Sequence, residues 1–199
     1  LQNQHPWVPM LGICCDHSQL DALPEHPLLR GKRRVGFFPG SSLGNFTRSE
    51  AIALLRRFRQ LLDGGPLLLG LDQPKTSALM EAAYNDAAGI SAAFAHNLLH
   101  RLNNDLNADF KPDAFGYEAV WQEPENRVRM ALISKRDQTV SVGGEAWAFH
   151  EGQPLVTEYS VKYSPEMARD LADEAGWRWC RRWHDPADEL SLHWLEAAN

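Results

Sequence analysis

The stretch "RVGFFPGSSLGNFTRSEAIALLRRFRQLLDGGPLLLGLD", residues 34–72, limits the fold more than any other part of the chain. Thr47 stands three residues before Glu50, the spacing of a capping box. Ala51, Leu54, Leu55, Phe58, Leu61 and Leu62 then recur at helical spacing on one face, and Gly64-Gly65 stops the helix. The flanking segments are apolar. "RVGFFP" (34–39) reads as a strand, and "PLLLGLD" (66–72) is too uniformly apolar for a half-exposed one, so it is expected in a parallel sheet with both faces covered. Strand, helix and strand of these lengths form a right-handed βαβ unit. A third strand is expected at "VPMLGICC" (8–15). Ligands of open parallel sheets lie at the carboxyl ends of the strands, which puts Asp16, the 39–46 loop and Asp72 along one rim.

Beyond Asp72 the pattern changes twice. Two helical stretches, 76–88 and 90–106, are separated by Gly89. From 115 onward "FGYEAVWQ", "RVRMALISKR", "QTVSVGGEAWAFH" and "LVTEYSVKY" alternate apolar and polar residues between turn signals, an antiparallel pattern. "SPEMARDLADEAG" is a helix with Ser164 as N-cap, Pro165 at its first position and Gly176 as stop. "WRWCRRWHD" and "LSLHWLEA" read as closing strands. The expected layout is an α/β sheet, 1–75 and 164–199, interrupted by a small α+β element at 76–163.

The 199 residues are 44% hydrophobic and 23% charged, a globular balance, and a formal charge of −6 opposes general nucleic-acid binding. No apolar run approaches the ~20 residues of a membrane span, and no secretory segment is visible. Three cysteines, two of them adjacent, give no disulfide framework, so a reducing cytoplasm is the default. The chain opens at Leu1 with an apparent strand that has no upstream partner. The expectation is therefore a fragment that begins inside a domain.

Four features compete as sites. Gly40, Ser42 and Gly44 spell G-x-S-x-G after a strand, the form of a nucleophile elbow, with Asp72 or Asp185 and His184 or His193 as partners. Against it, the helix signals start only at Thr47, and no second loop of glycine amides offers an oxyanion site. "CCDH" (14–17) lacks metal-ligand spacing; buried strand cysteines are expected there, and no metal site is read. Trp177, Trp179, Arg181 and Trp183 fall on one side of an extended strand, expected to pack as an amphipathic face. Glu158 and Ser160 share one face of a strand, where a carboxylate and a hydroxyl together suit a cationic or two-nitrogen ligand such as imidazole, or simply face solvent.

Taken in order, "FFPGSSLGNF", "LLLGLD", "EAAYNDAAGISAAF", "LNADFKPDAF", "RVRMALIS" and "TEYSVKYSPE" resemble the histidine-specific methyltransferase family, from about residue 10 to the C-terminus. The resemblance implies an incomplete Rossmann-like sheet of a methyltransferase dependent on S-adenosylmethionine (SAM), with an inserted α+β substrate domain. It implies transfer of methyl groups to the α-amino group of an amino acid, L-histidine first, as in ergothioneine biosynthesis. Asn45 and Tyr84 are then the catalytic pair that holds the α-amino and α-carboxylate groups. Glu158 and Ser160 bind the imidazole, and Met130 lines the pocket. Asp16 and His17 lie at the adenine of the cofactor, with His17 in place of a more usual aromatic residue, and Gly40 and Ser41 belong to the same cofactor site. The partner implied is a small amino acid, with neither nucleic acid nor membrane.

The family's glycine-rich cofactor loop, its first two strands and its N-terminal tyrosines have no counterpart in the 199 residues, so a truncated sheet with an exposed apolar edge is expected. The alternatives are a methyltransferase of the same fold acting on another amino acid or amine, a non-catalytic binding fragment, and third the G-x-S-x-G hydrolase.

Overall fold

The computed structural model describes residues 3–198. In chain order the elements are strand β1 (Gly36–Phe38), helix α1 (Arg48–Leu61), strand β2 (Leu67–Asp72), and helices α2 (Ser77–Tyr84) and α3 (Ile90–Leu106). Strands β3 (Phe115–Gln122), β4 (Arg127–Ser134), β5 (Gln138–Val142), β6 (Glu145–Phe149) and β7 (Pro154–Val161) follow, then helix α4 (Pro165–Glu174) and strands β8 (Trp177–His184) and β9 (Leu190–Ala197). They gather into two compact units. One contains the chain up to Ser41, Thr47–Leu71 and the chain from Ser164; the other contains Ser42–Phe46 and Asp72–Tyr163.

The first unit is an α/β layer around a four-stranded mixed sheet in the order β1-β2-β9-β8. β1 runs parallel to β2, pairing Gly36 with Leu67 and Phe38 with Leu69, while β8 and β9 are antiparallel. The parallel pair is connected by α1, as the apolar spacing requires. The helix start is a complete capping box: the Glu50 amide donates to Thr47 Oγ1, and the Thr47 amide donates to Glu50 Oε2 at 2.8 Å. Ala51, Leu54 and Leu55 face a core that includes Leu67, Leu69, Leu71 and Trp177, whose indole N–H donates to the Leu55 carbonyl at 2.9 Å. Gly70 lets β2 pass the chain leaving β1, since a Cβ there would stand 1.8 Å from the Pro39 carbonyl oxygen. Among the described residues β1 and β8 are the two outer strands of this sheet, and at the β1 edge Val35 and Phe37 are exposed.

Three expectations fail in this unit. Residues 8–15 form no strand, and Cys14 and Cys15 are exposed rather than buried. A strand exists by exchanging backbone hydrogen bonds with a neighbour, and no described strand lies alongside that segment. The 34–39 strand is reduced to Gly36–Phe38. In β8 the pairing slips between Trp179 and Arg181, a bulge that exchanges the two faces beyond it. Trp177 is buried and Trp179 half-buried, but Trp183 is 39% exposed, so the four residues do not share a side.

The second unit is the α+β part. β3, β4 and β7 form an antiparallel sheet in the order β3-β4-β7, and β5 and β6 form a separate hairpin. The stretch 138–150 is therefore two strands, turned at Gly143 and Gly144, both at positive φ. One sheet face carries Phe115, Tyr117, Ala119 and Trp121 from β3, Val128, Met130 and Leu132 from β4, and Glu158 and Ser160 from β7, as the register dictates. α2 and α3 cover this face: Met80 packs with Ala119, Val128 and Met130, and Leu99 packs with Phe115 and Leu132. α2 ends at Tyr84 rather than 88, because Asp86 turns its carboxylate to accept the amides of Ile90 and Ser91 at the start of α3.

A second bulge shapes β7. Met130 pairs with Glu158, but Ala131 pairs with Val156, leaving Thr157 extra. Leu155 consequently joins the core with Leu132 while Glu158 stays on the same face three residues later. Regular alternation would have separated them.

Candidate functional site

In the second unit a cavity of about 540 Å³ opens between α3 and the covered sheet face. Tyr117, Met130, Thr157 and Glu158 line it from the sheet, Tyr84 lines it from the end of α2, and Ile90, Phe94 and Leu98 line it from α3 together with the polar Ser91, Asn97 and Arg101. Each lining residue has a local reason for its place. Tyr84 is the last residue of α2, held there because the Tyr117 hydroxyl donates to its carbonyl at 3.0 Å. Met130 and Glu158 are direct cross-strand partners. Thr157, pushed out by the bulge, donates its hydroxyl to the Met130 carbonyl at 3.2 Å and so stabilises the turn of backbone that aims Glu158.

Behind Tyr84 lies a buried polar cluster. Tyr84 Oη and Ser160 Oγ are 3.0 Å apart, and the Lys162 ammonium donates to both, at 2.6 and 2.9 Å. Lys162 is fully buried and also meets Asp72 Oδ2 at 2.7 Å; Asp72 takes a second lysine, Lys75, at 2.5 Å. Burial pushes the Asp72 carboxyl up, but hydrogen bonds and charge from Lys162 and Lys75 outweigh it and hold the group below its usual value. The Tyr117 phenol is moved up, first by burial and then by the carboxylates of Asp86 and Glu158. Asp86 itself is lowered to about 2 by its hydrogen bonds from Ser91 and Ile90.

The structure thus brings Tyr84, Met130 and Glu158 to one cavity and sets Ser160 against Tyr84. Asn45 is not among the lining residues; it is exposed at the end of a 3₁₀ turn, Ser41–Asn45. That turn is seated on the end of β7, where a Cβ on Gly44 would come within 2.4 Å of the Val161 carbonyl oxygen. Gly40 is exposed in the bend before it, and Ser41 opens it. Asp16 and His17 are exposed in the loop of the first unit. Asp16 accepts both the amide and hydroxyl of Ser18, which lower its pKa, and His17 lies 6.1 Å from the Phe38 ring, centroid to centroid.

The hydrolase partners are otherwise engaged. His193 is buried, with Nδ1 accepting from the Trp179 indole at 2.9 Å and Nε2 facing Ser191 Oγ at 2.8 Å. The Asp185 carboxylate accepts amides of its own turn, from Ala187, Glu189 and Leu190. With Nδ1 accepting, Nε2 carries the ring proton and cannot act as a base, and the Asp185 carboxylate is committed to its own turn. Sequence reasoning passed over Tyr117, Thr157 and Lys162. The last had a signal, since it continues the period-two phase of Glu158 and Ser160.

The model of the family described as "histidine-specific methyltransferase, SAM-dependent" matches residues 1–197. The chain belongs to this family. It is 35% identical over 193 residues to the histidine N-alpha-methyltransferase of Mycolicibacterium smegmatis, covering 95% of this chain and 59% of that protein. The corresponding protein of Mycobacterium tuberculosis is 34% identical over 195 residues, covering 96% and 60%. "Ergothioneine biosynthesis protein 1" of Schizosaccharomyces pombe is 25% identical over 189 residues, covering 94% and 24%. The chain spans about three-fifths of the length of the two bacterial relatives. Among solved structures, an S-adenosylmethionine-dependent methyltransferase from Clostridium acetobutylicum aligns over the whole chain and 70% of its own, at 11% identity and a TM-score of 0.48. No helix among the described residues is long and apolar enough to cross a membrane.

Proposed function

We propose that the chain belongs to an enzyme that methylates the α-amino group of L-histidine with SAM, and that the second unit is its amino-acid site. The observation that carries this reading is the juxtaposition of Glu158 and Met130, direct cross-strand partners, in a cavity that also contains Tyr84. A carboxylate beside an apolar thioether suits a flat ring bearing N–H groups. Paired polar contacts of this kind reject analogues that lack the ring nitrogens far more strongly than an apolar pocket does.

In this reading Glu158 accepts an imidazole N–H and fixes the ring's tautomer. Met130 packs against the ring, and the Tyr84 hydroxyl donates to the α-carboxylate. Asn45 would accept from the α-amine and orient its lone pair. A free α-amine has a pKa near ~8, so a neutral fraction exists at physiological pH and no strong base is needed. The main work is alignment, which contributes up to roughly 7–11 kcal/mol when the reacting atoms are held in line.

The cofactor supplies an electrophilic methyl group on a sulfonium. The residues present in the first unit fit one end of it. Asp16 carries a carboxylate kept ionised by Ser18, and His17 with Phe38 offers ring surface beside an apolar cavity of about 250 Å³. Asp16 and His17 would hold the adenosine part, with Gly40 and Ser41 on the loop that follows β1. The exposed, unpaired thiols of Cys14, Cys15 and Cys180 suit a reducing compartment and support a cytoplasmic setting.

The test is calorimetric titration of L-histidine with S-adenosylhomocysteine in excess. Saturable binding is expected, lost with histamine, which lacks the carboxylate, and with phenylalanine, which lacks the ring nitrogens. Indifference among the three ligands would sink the reading.

A further inference from the structure

Lys162 is the buried charge that this mechanism leaves unused. No other lysine, arginine, aspartate or glutamate among the described residues is buried. An ammonium has three protons to donate and nothing to accept with, and here each proton has a partner: Asp72 Oδ2, Tyr84 Oη and Ser160 Oγ. Since Lys162 uses both hydroxyl oxygens as acceptors, the 3.0 Å contact between them consumes only one of their two protons. The other hydroxyl proton stays uncommitted within the cluster. The ammonium therefore makes the Tyr84–Ser160 pair a net donor toward whatever lies beside it. The charges point the same way, because two lysines against the single Asp72 carboxylate leave the cluster positive.

We infer that Lys162 is a positioning residue that orders the Tyr84 and Ser160 hydroxyls so that one proton is presented to an anionic group of the ligand in the adjacent cavity. It acts through them, since its own side chain is closed to the cavity and all its protons are engaged. The α-carboxylate of an amino acid is the anionic group that this rests on, given the reading of the site above. The aromatic ring of Tyr84, with the ammonium 4.8 Å from its centroid, is held by the same contact.

A double-mutant cycle separates this role from simple structural support. Lys162→Met and Ser160→Ala are each expected to weaken L-histidine binding roughly tenfold or more. The combined variant should lose no more than the worse single one, because the second change removes a partner already disordered by the first. Losses that multiply, about 100-fold together, would overturn the assignment. If Lys162→Met does not fold, Asp72→Asn/Lys162→Met removes both charges at once and avoids a stranded carboxylate; this pair then replaces Lys162→Met as one arm of the cycle, with Ser160→Ala as the other. A parent chain that does not bind L-histidine removes the substrate reading, and the Lys162 assignment is then decided without ligand. The ¹³C resonance of Tyr84 Cζ should move on Ser160→Ala in the parent and stay fixed on Ser160→Ala in the lysine-free background. Equal movement in both would show that the lysine does not order the pair.

Discussion

Lowering the pH should destabilise the first unit through one buried histidine. His193 links β9 to β8 by accepting from the Trp179 indole, and to β2 through Ser191, whose hydroxyl donates to the Leu71 carbonyl at 3.4 Å. Nδ1 must be the unprotonated nitrogen, so the structure requires the neutral ring. Burial, aided by the positive charge of Arg182, lowers its pKa from 6.5 to about 4. The folded value lies below the unfolded one. Between the two the unfolded chain binds more protons, so stability is complete above pH 6.5 and is lost as pH falls toward 4. At 1.36 kcal/mol per pH unit, the loss is about 2 kcal/mol at pH 5 and about 3 kcal/mol at pH 4. The assay is urea unfolding from pH 7 to 4.5, comparing the parent with His193→Gln. A glutamine amide can still accept from Trp179 and donate to Ser191, but it does not titrate. With an m-value of about 2 kcal/mol/M, the parent midpoint should fall by roughly 1 M more than the variant's between pH 7 and pH 5. Carboxylates contribute to both curves and cancel in the difference. Parallel pH profiles would refute the argument that His193 is held neutral.

Glu158→Ala should weaken L-histidine binding by roughly tenfold or more while leaving S-adenosylhomocysteine affinity unchanged, since it removes a charged hydrogen-bond acceptor from the amino-acid site alone; equal loss of both ligands, measured by calorimetry, counts against its role. Gly44→Ala puts a Cβ 2.4 Å from the Val161 carbonyl oxygen and forces the turn that carries Asn45 off β7, at a cost of about 1–3 kcal/mol in thermal unfolding. An unchanged melting temperature would mean that the turn is not seated there. Trp177→Phe removes the indole donor to the Leu55 carbonyl from the core of the first unit and should cost about 1 kcal/mol or more, read from the denaturation midpoint.

What could be read from the sequence depended on whether the controlling interaction was local. The capping box of α1 involves residues three apart, and the buried parallel strand β2 announces itself by an unbroken apolar run, so both were legible. The strand expected at 8–15 was not a local matter, because its existence depends on a neighbouring edge. The two bulges were illegible for a different reason. An extra residue at Thr157, or the slip after Trp179, leaves a plausible alternation on either side and changes only which face each half presents. The consequences are opposite in kind: the slip in β8 exposes Trp183, whereas the bulge in β7 keeps Leu155 in the core and Glu158 in the cavity. The site shows the same division. Glu158 and Ser160 share a face by local periodicity, and Lys162 follows in the same phase. That Tyr84, 76 residues away from Ser160, meets this face follows from α2 closing over the sheet, and no spacing along the chain encodes it. Period two therefore identifies which side chains of β7 act together, while their common partner is set by the packing of Met80 and Tyr84 against Ala119, Val128 and Met130.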